Sequence, residues 1–321
     1  MLLTNATQPL FSILLPTHNR ADVLPFAIRS VLAQTIQDFE LLVVGDGCTD
    51  DTAEAVLSFD DPRIRWFDLP KAPGFGYANR NVALRQARGN LIAFMAHDDL
   101  WLPDHLEISV SAFEDIAIEF TYTCPIWIDH HGAVTPYLFD LTEKETLGLF
   151  LHQLQNGIPA SGIIHRQSCF AKYGYWNDSL PKSGDVDLWI RIIKGGHCRN
   201  FVFIHQPTAL HFQANWRGRI GGSLELQVWR KLVHNSFFHV SSCLIVESIS
   251  GVELQATFWK TLSADPVDWV IRLRQAVQIT NSSLWWRLLH FVRNLMCRLA
   301  PPFTARNRLW LRFARYLKSL F

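Results

Sequence analysis

The stretch IAFMAHDDLWLP (Ile92–Pro103) ends an apolar run with two adjacent carboxylates, Asp98 and Asp99, followed by an aromatic residue and a proline. Like charges side by side repel unless a cation lies between them and a partner. A divalent metal that carries phosphate oxygens meets that need with only one or two protein carboxylates. A capped turn with two solvated acids has the same spelling, because Asp favours helix starts. Two more polar groups also follow apolar runs, Thr17–Arg20 in SILLPTHNR and Asp46 in ELLVVGDGCTDDT, and Asp185 with Asp187 opens the helix-like GDVDLWIRI. A carboxylate at a helix start can take a proton from a hydroxyl, although the helix N-terminus favours its ionised form and lowers its basicity. Asp187 competes for that role or tethers the helix start. Asp46 within GDG also reads as an ordinary turn residue, and Arg80 as a surface helix arginine.

The elements that must position these groups are legible from periodicity. LFSILLPT, FELLVVGDG, RIRWFDL and NLIAFMA read as strands. ADVLPFAIRSVLAQT, TDDTAEAVLSF and YANRNVALRQARG between them read as helices, with apolar residues at three- and four-residue steps and Gly89 as a stop. Alternating strands and helices predict an α/β fold, a doubly wound, mostly parallel sheet. Ligands on such sheets bind outside the carboxyl ends of the strands, and Thr17–Arg20, Asp46 and Asp98–Asp99 fall at those ends. DVDLWIRIIKGG predicts a later helix, and residues 223–268 are ambiguous between helix and strand.

The 321 residues, 49% apolar, suffice for one large domain and an appendage or for two ordinary domains. Lys+Arg 30 against Asp+Glu 29 balance overall, yet Trp269–Phe321 carries ten basic residues and no acid, which leaves the first 268 residues at net −9. From Ser282 onward the pattern predicts basic amphipathic helices. Arg287, Arg293 and Arg298 oppose Leu288, Leu295 and Leu299, and Arg308–Phe321 repeats the arrangement after Pro301-Pro302. Such helices suit an anionic membrane surface, or pack on the main domain with a basic outer face. The expected organisation is 1–222, 223–281 and 282–321. Six scattered cysteines form no CxxC pair, so zinc and redox motifs are not expected. With neither a signal-like start nor an apolar run long enough to span a bilayer, the expected place is the cytoplasm, peripheral on the inner face of the membrane. The acid surplus outside the tail argues against nucleic acid as a partner.

SILLPTHNR, ELLVVGDGCTDDT, GYANRNVALRQARGNLIAFMAHDDLWLP and GDVDLWIRI, in that order over about residues 10–215, resemble the motifs of family 2 glycosyltransferases with the GT-A fold. The resemblance implies an inverting transfer from a nucleotide-diphosphate sugar, UDP-linked by default, to a hydroxyl of a lipid-linked or cell-surface glycan, with Mg²⁺ or Mn²⁺ on the diphosphate. Carried over by position, Thr17, Asn19, Arg20, Asp46, Arg80 and Asp98 would bind the nucleotide sugar. Asp99 would take the metal, and Asp185 would be the base. His211 lies where some of these enzymes have a metal-binding His in a closing loop, and a structural His is the competing reading. Arg217–Gly222 reads as a lid or a plain basic linker, and Trp101 and Trp189 as a sugar wall or as core.

Three positions depart from the family pattern. Ala96, Gly45 and Gly184 stand where acids are usual, which puts affinity in question more than fold. A catalytically degenerate nucleotide-sugar binder therefore remains an alternative. A nucleotidyltransferase is a weaker one, because PTHNRADV lacks a glycine-rich, lysine-bearing loop.

Overall fold

The computed structural model describes residues 8–128, 132, 134–153, 156–212 and 252–282, with isolated positions from 284 to 295. The first four apolar runs become β1 (Phe11–Thr17), β2 (Phe39–Asp46), β3 (Ile64–Leu69) and β4 (Leu91–Phe94). Between them lie α1 (Leu24–Leu32), α2 (Thr52–Leu57) and α3 (Tyr77–Leu84). The expected strand–helix alternation is present, with helices shorter than their periodic runs. Pro25 in the first turn and the cap at Ala33 confine α1.

The chain continues with β5 (Leu100–Trp101), α4 (His105–Val110), β6 (Phe120–Ile128), β7 (Val134–Pro136) and α5 (Lys144–Leu151). Then come β8 (Ile163–Arg166), α6 (Cys169–Tyr173), α7 (Gly184–Gly195), β9 (Phe201–Phe212), α8 (Val252–Ala264) and α9 (Pro266–Ser282). The described strands form one nine-stranded sheet ordered β3-β2-β1-β4-β8-β6-β9-β5, with β7 on β6. β1 pairs in parallel with β2 and β4, β2 with β3, and β6 with β9. β8 runs antiparallel between β4 and β6. The carboxyl ends of β1, β2, β4, β6 and β9 therefore share one edge, and the register sets Thr17 beside Gly45.

Both faces of the sheet are covered, which is why β1 and β2 read as continuous apolar runs rather than alternating ones. Leu14, Leu42, Val44 and Ile92 pack on one face, and Ile13, Leu41, Val43 and Ala93 on the other. β3 lies at the edge and is only half-buried. Glu40 is buried among these strands. Burial pushes its carboxyl pKa up, but hydrogen bonds from Ser12, Arg88 and Arg65 outweigh that and hold it below the usual range.

Phe258, Leu262, Trp269 and Leu273 of α8 and α9 join the same core as Phe212 and Phe139. Arg274 also ties α9 to Asp104. The C-terminal part of the expected 223–281 segment is thus helical and shares a core with the sheet. The rest of that segment, the Arg217–Gly222 stretch and most of the expected 282–321 tail lie outside the described residues. No described helix is long and apolar enough to cross a membrane.

Candidate active site

A cleft of about 670 Å³ opens at the shared carboxyl edge, and Thr17, Arg20, Asp46, Arg80, Asp98, Asp99, Asp185 and His211 all line it. Four strand ends and two helices thus bring eight of the nine expected site residues together. Asn19 is the exception. Its left-handed backbone (φ 51°) and its amide tie the β1 loop to the β2 loop. Asn19 Oδ1 accepts from Thr49 N at 2.8 Å, and Nδ2 donates to Thr49 Oγ1 at 3.1 Å. Arg20 contributes through its backbone as well, donating from N to Thr52 Oγ1 at 3.0 Å.

The two adjacent acids separate sharply. The Asp99 side chain is fully buried. Its Oδ2 accepts from Ser161 Oγ, its Oδ1 from Phe212 N at 3.1 Å, and His211 Nδ1 lies 3.0 Å from both oxygens. Asp99 thereby knits the β4 loop to the turn before β8 and to the end of β9. Asp98 is half-buried, lines the cleft and makes no hydrogen bond among the described residues. The expectation that Asp99 takes the metal meets a carboxylate already engaged by protein donors, whereas Asp98 opens to ligand. His97 between Ala96 and Asp98 also lines the cleft. Burial pushes its imidazole below the usual histidine range, against the pull of the Asp98 charge.

Metal fit follows from the donor set. No described group of three or more His, Cys, Asp or Glu side chains forms a closed metal site. Mg²⁺ and Mn²⁺ do not need one, because they retain several ligands from water and phosphate. The carboxylate–imidazole contact between Asp99 and His211 is the arrangement that fixes the ring of a metal-ligating histidine. His211 also meets the Trp127 ring edge-on, with centroids 4.6 Å apart. Asp98 and His211 both line the cleft and are of the donor types that would complete such a shell with diphosphate oxygens.

Asp46, at the end of β2, also lines the cleft. Its Oδ1 accepts from Ala72 N at 2.8 Å and from Asn79 Nδ2 at 2.7 Å, and Lys71 Nζ pairs with Oδ2. Thr17 is 3% exposed, and its Oγ1 has no hydrogen-bond partner among the described residues. Arg80 lies over the rings of Trp176 (4.7 Å) and Tyr77 (5.2 Å), and its Nε is buried without a hydrogen-bond partner among the described residues. Burial lowers its pKa, while the Asp185 and Asp46 charges pull it back up. A desolvated cation with no ion pair among the described residues is a strong attractor for an anion.

Asp185 stands in the first turn of α7 and faces the cleft, while Asp187 pairs with Arg191 Nε at 2.9 Å one helical turn on. Sequence left these two acids open, and their partners separate them. No side chain of α7 caps its own start, and Gly184 N instead donates to Tyr77 Oη at 2.9 Å.

The missing acids have a steric counterpart. A Cβ on Gly184 would lie 2.7 Å from the Tyr77 ring, and one on Gly45 would lie 2.4 Å from the Trp66 ring. Aromatic rings thus fill both places where the family pattern has an acid. Ala96 N donates to Ser161 Oγ at 3.0 Å, so the acidic loop is held through Ser161 instead. Trp101 and Trp189 are fully buried core residues. Lys71, Tyr77, Ser161 and Trp176 were not singled out by sequence. KAPGFG carried a local signal in its glycines, since Gly74 and Gly76 have φ of 63° and 71°. Ser161 carried none.

Sheet order, the helices on both faces and a cleft at the strand ends define the GT-A architecture. The chain is similar to the crystal structure of Staphylococcus aureus TarS 1–349 in complex with UDP-GlcNAc, with a TM-score of 0.53 at 18% identity, covering 88% of this chain and 87% of that one. The family model Glycosyl transferase family 2 matches residues 12–169. The Escherichia coli UDP-Glc:alpha-D-GlcNAc-diphosphoundecaprenol beta-1,3-glucosyltransferase WfgD is 40% identical over 185 residues, covering 58% of this chain and 70% of that protein. An uncharacterized glycosyltransferase of Rickettsia felis is 31% identical over 197 residues, covering 59% of this chain. The chain spans only about a third to three fifths of the length of the rickettsial relatives it matches. It belongs to glycosyl transferase family 2.

Proposed function

We propose that the chain transfers a sugar from a nucleotide-diphosphate donor to a hydroxyl of a glycan acceptor, with inversion at the anomeric carbon. The observation that carries this reading is the cleft itself. A half-buried Arg80 with no ion pair among the described residues, an open Asp98 and an open Asp185 converge on one space, while Asp99 and Asp187 are engaged elsewhere. Asp185 takes the proton of the acceptor hydroxyl as its oxygen bonds to the anomeric carbon. The bond from that carbon to the diphosphate breaks, and its electron pair leaves on the phosphate oxygen. Arg80, desolvated over two aromatic rings, offsets that charge where it develops. Asp46 and Thr17 hold the nucleoside end. Asp98, rather than Asp99, faces the diphosphate, and Asp99 orients His211. A Mg²⁺ or Mn²⁺ held by Asp98 and His211 would supply further neutralisation of the leaving diphosphate.

The acceptor proposed is a lipid-linked glycan, supported by the identity with WfgD, whose name specifies a diphosphoundecaprenol-linked acceptor. Contact with an anionic inner-membrane surface through 282–321 fits that acceptor. Leu284, Leu288, Phe291 and Leu295 lie at helical spacing and are all exposed, within a segment rich in arginine and free of acids. The test is transfer from radiolabelled UDP-glucose, UDP-GlcNAc and GDP-mannose to a GlcNAc-diphospholipid in Mn²⁺. Product from one donor, lost in Asp185→Asn, is expected. Nucleotide binding without transfer from any donor would favour a degenerate binder, and binding of none would contradict the reading.

A further inference from the structure

Asp98, Asp99 and His211 hang from two segments that meet at the edge of the sheet. Asp98 and Asp99 precede β5, and His211 and Phe212 close β9. β5 pairs with β9 through Leu100–Leu210 and Trp101–Ala209, and just beyond it Leu102 N donates to Thr208 O at 2.9 Å. β5 has only two residues and no further strand beside it among the described residues, so other elements must hold this edge. α1 does so through Gln34, whose Nε2 donates to Leu102 O at 2.8 Å. α8 and α9 add two ties. The Phe212 ring meets Phe258 of α8 edge-on with centroids 5.3 Å apart, and Phe258 meets Trp269 of α9 at 5.5 Å. Phe258 is fully buried. Shortly after β5, Asp104 pairs with Arg274 of α9, and the remaining Asp104 Oδ1 and Arg274 Nε are buried without a hydrogen-bond partner among the described residues.

We infer that Phe258 of α8 and Arg274 of α9 are positioning residues for the Asp98–His211 side of the cleft, so that the C-terminal helices set how well it takes a divalent cation. The inference rests on the metal and diphosphate reading above. Phe258 backs the Phe212 ring. The Phe212 backbone N–H and the neighbouring His211 ring both engage the Asp99 carboxylate, so the place of His211 depends on where β9 ends. Groups that orient a metal-ligating side chain tune its affinity, and their loss costs about 10- to 100-fold. Truncating a buried phenylalanine leaves a cavity that its surroundings fill only in part, and here the strand end beside that cavity carries His211. Arg274 acts from the other segment, by holding Asp104 at the end of the stretch that begins with Asp98. Thr17 and Asp46 are spared, because they end β1 and β2, with β4, β8 and β6 between them and β9. Both helices lie beyond the residues that the family model matches.

The test is calorimetric titration of Mn²⁺ into the UDP-loaded full chain and of UDP into the metal-free chain. The variants are Phe258→Ala, Phe258→Leu, Arg274→Gln and, as a control, Phe113→Ala. Phe113 is a buried phenylalanine in the core on the opposite face of the sheet. Phe258→Ala should weaken Mn²⁺ by about tenfold or more, while metal-free UDP affinity stays within about threefold. Phe258→Leu, which refills most of the space, should recover most of the loss, and Arg274→Gln should weaken Mn²⁺ in the same sense. Phe113→Ala should melt at a lower temperature and keep its Mn²⁺ affinity. Thermal melts report folding. If Phe258→Ala does not fold, Phe258→Leu and Arg274→Gln carry the comparison, the second at a side chain that is 38% exposed. Unchanged Mn²⁺ affinity in folded variants of Phe258 and Arg274 overturns the inference and leaves the metal reading standing. An equal loss in Phe113→Ala also overturns it, because general loosening would then be the cause. No Mn²⁺ binding by the unaltered UDP-loaded chain contradicts the metal reading itself.

Discussion

One backbone step turns a carboxylate from the cleft into the protein at Asp98 and Asp99. The resemblance gave Asp98 to the nucleotide sugar and Asp99 to the metal, and it could not see the donors that engage Asp99, which come from Ser161, His211 and Phe212, 62 to 113 residues away. The same holds for Asp187, whose partner Arg191 lies one helical turn on. Asp99→Asn would set an amide NH₂ against donors that require an acceptor. It is expected to cost about 1–3 kcal/mol, seen as a lower thermal midpoint even without nucleotide. Asp185→Asn should lower turnover by about 10²–10⁴-fold while donor affinity stays within about threefold. A parallel loss of donor affinity would place Asp185 on the donor rather than on the acceptor proton.

The strands and helices of the first hundred residues were legible because burial on both faces makes unbroken apolar strands, and the helices between them keep a clean apolar stripe. What was not legible is how elements lean on each other. Tyr77 of α3 caps α7 through Gly184 N, so the helix that carries Arg80 also fixes the start of the helix that carries Asp185. Gly184→Ala should drive its methyl into the Tyr77 ring and cost about 1–3 kcal/mol. Tyr77→Ala should relieve that clash, so that the two substitutions together cost less than their sum in a double-mutant cycle of unfolding free energies. Strict additivity would show that the ring and the glycine do not share that space. The absent acids at Gly45 and Gly184 were visible in sequence as departures, but the aromatic rings filling their places were not, because Trp66 and Tyr77 lie far from them along the chain.

At the scale of the whole molecule, two histidines among the described residues are sealed in the core. Burial holds His105 down to about 3 and His165 down to about 4. His105 Nδ1 lies 2.7 Å from Thr208 Oγ1, and His165 packs against Phe94, Phe170 and Trp189. Both are neutral when folded and gain a proton near pH 6.5 when unfolded. Their contribution to stability is therefore complete above pH 6.5 and declines as pH falls toward their folded values. Together they account for up to about 3 kcal/mol per pH unit in that window. Glu40 and Glu119, held below the usual carboxylate range, add losses only below about pH 4.5. Urea midpoints should drop between pH 7 and pH 5, and a flat profile there would contradict the buried neutral state. Also at this scale, deletion of 282–321 should abolish flotation with vesicles of anionic lipid while leaving nucleotide affinity unchanged. Equal flotation without the tail would remove the proposed membrane contact.

The central claim is that Asp98 is the acid through which a metal and a nucleotide diphosphate meet in this cleft. The most direct measurement is calorimetric titration of UDP, with and without Mn²⁺, into the wild-type chain and into Asp98→Asn. The account predicts that Mn²⁺ tightens UDP binding to the wild type by at least about tenfold, as one charged contact contributes, and that Asp98→Asn loses this gain while keeping its thermal midpoint. The same Mn²⁺ dependence in both proteins would contradict it.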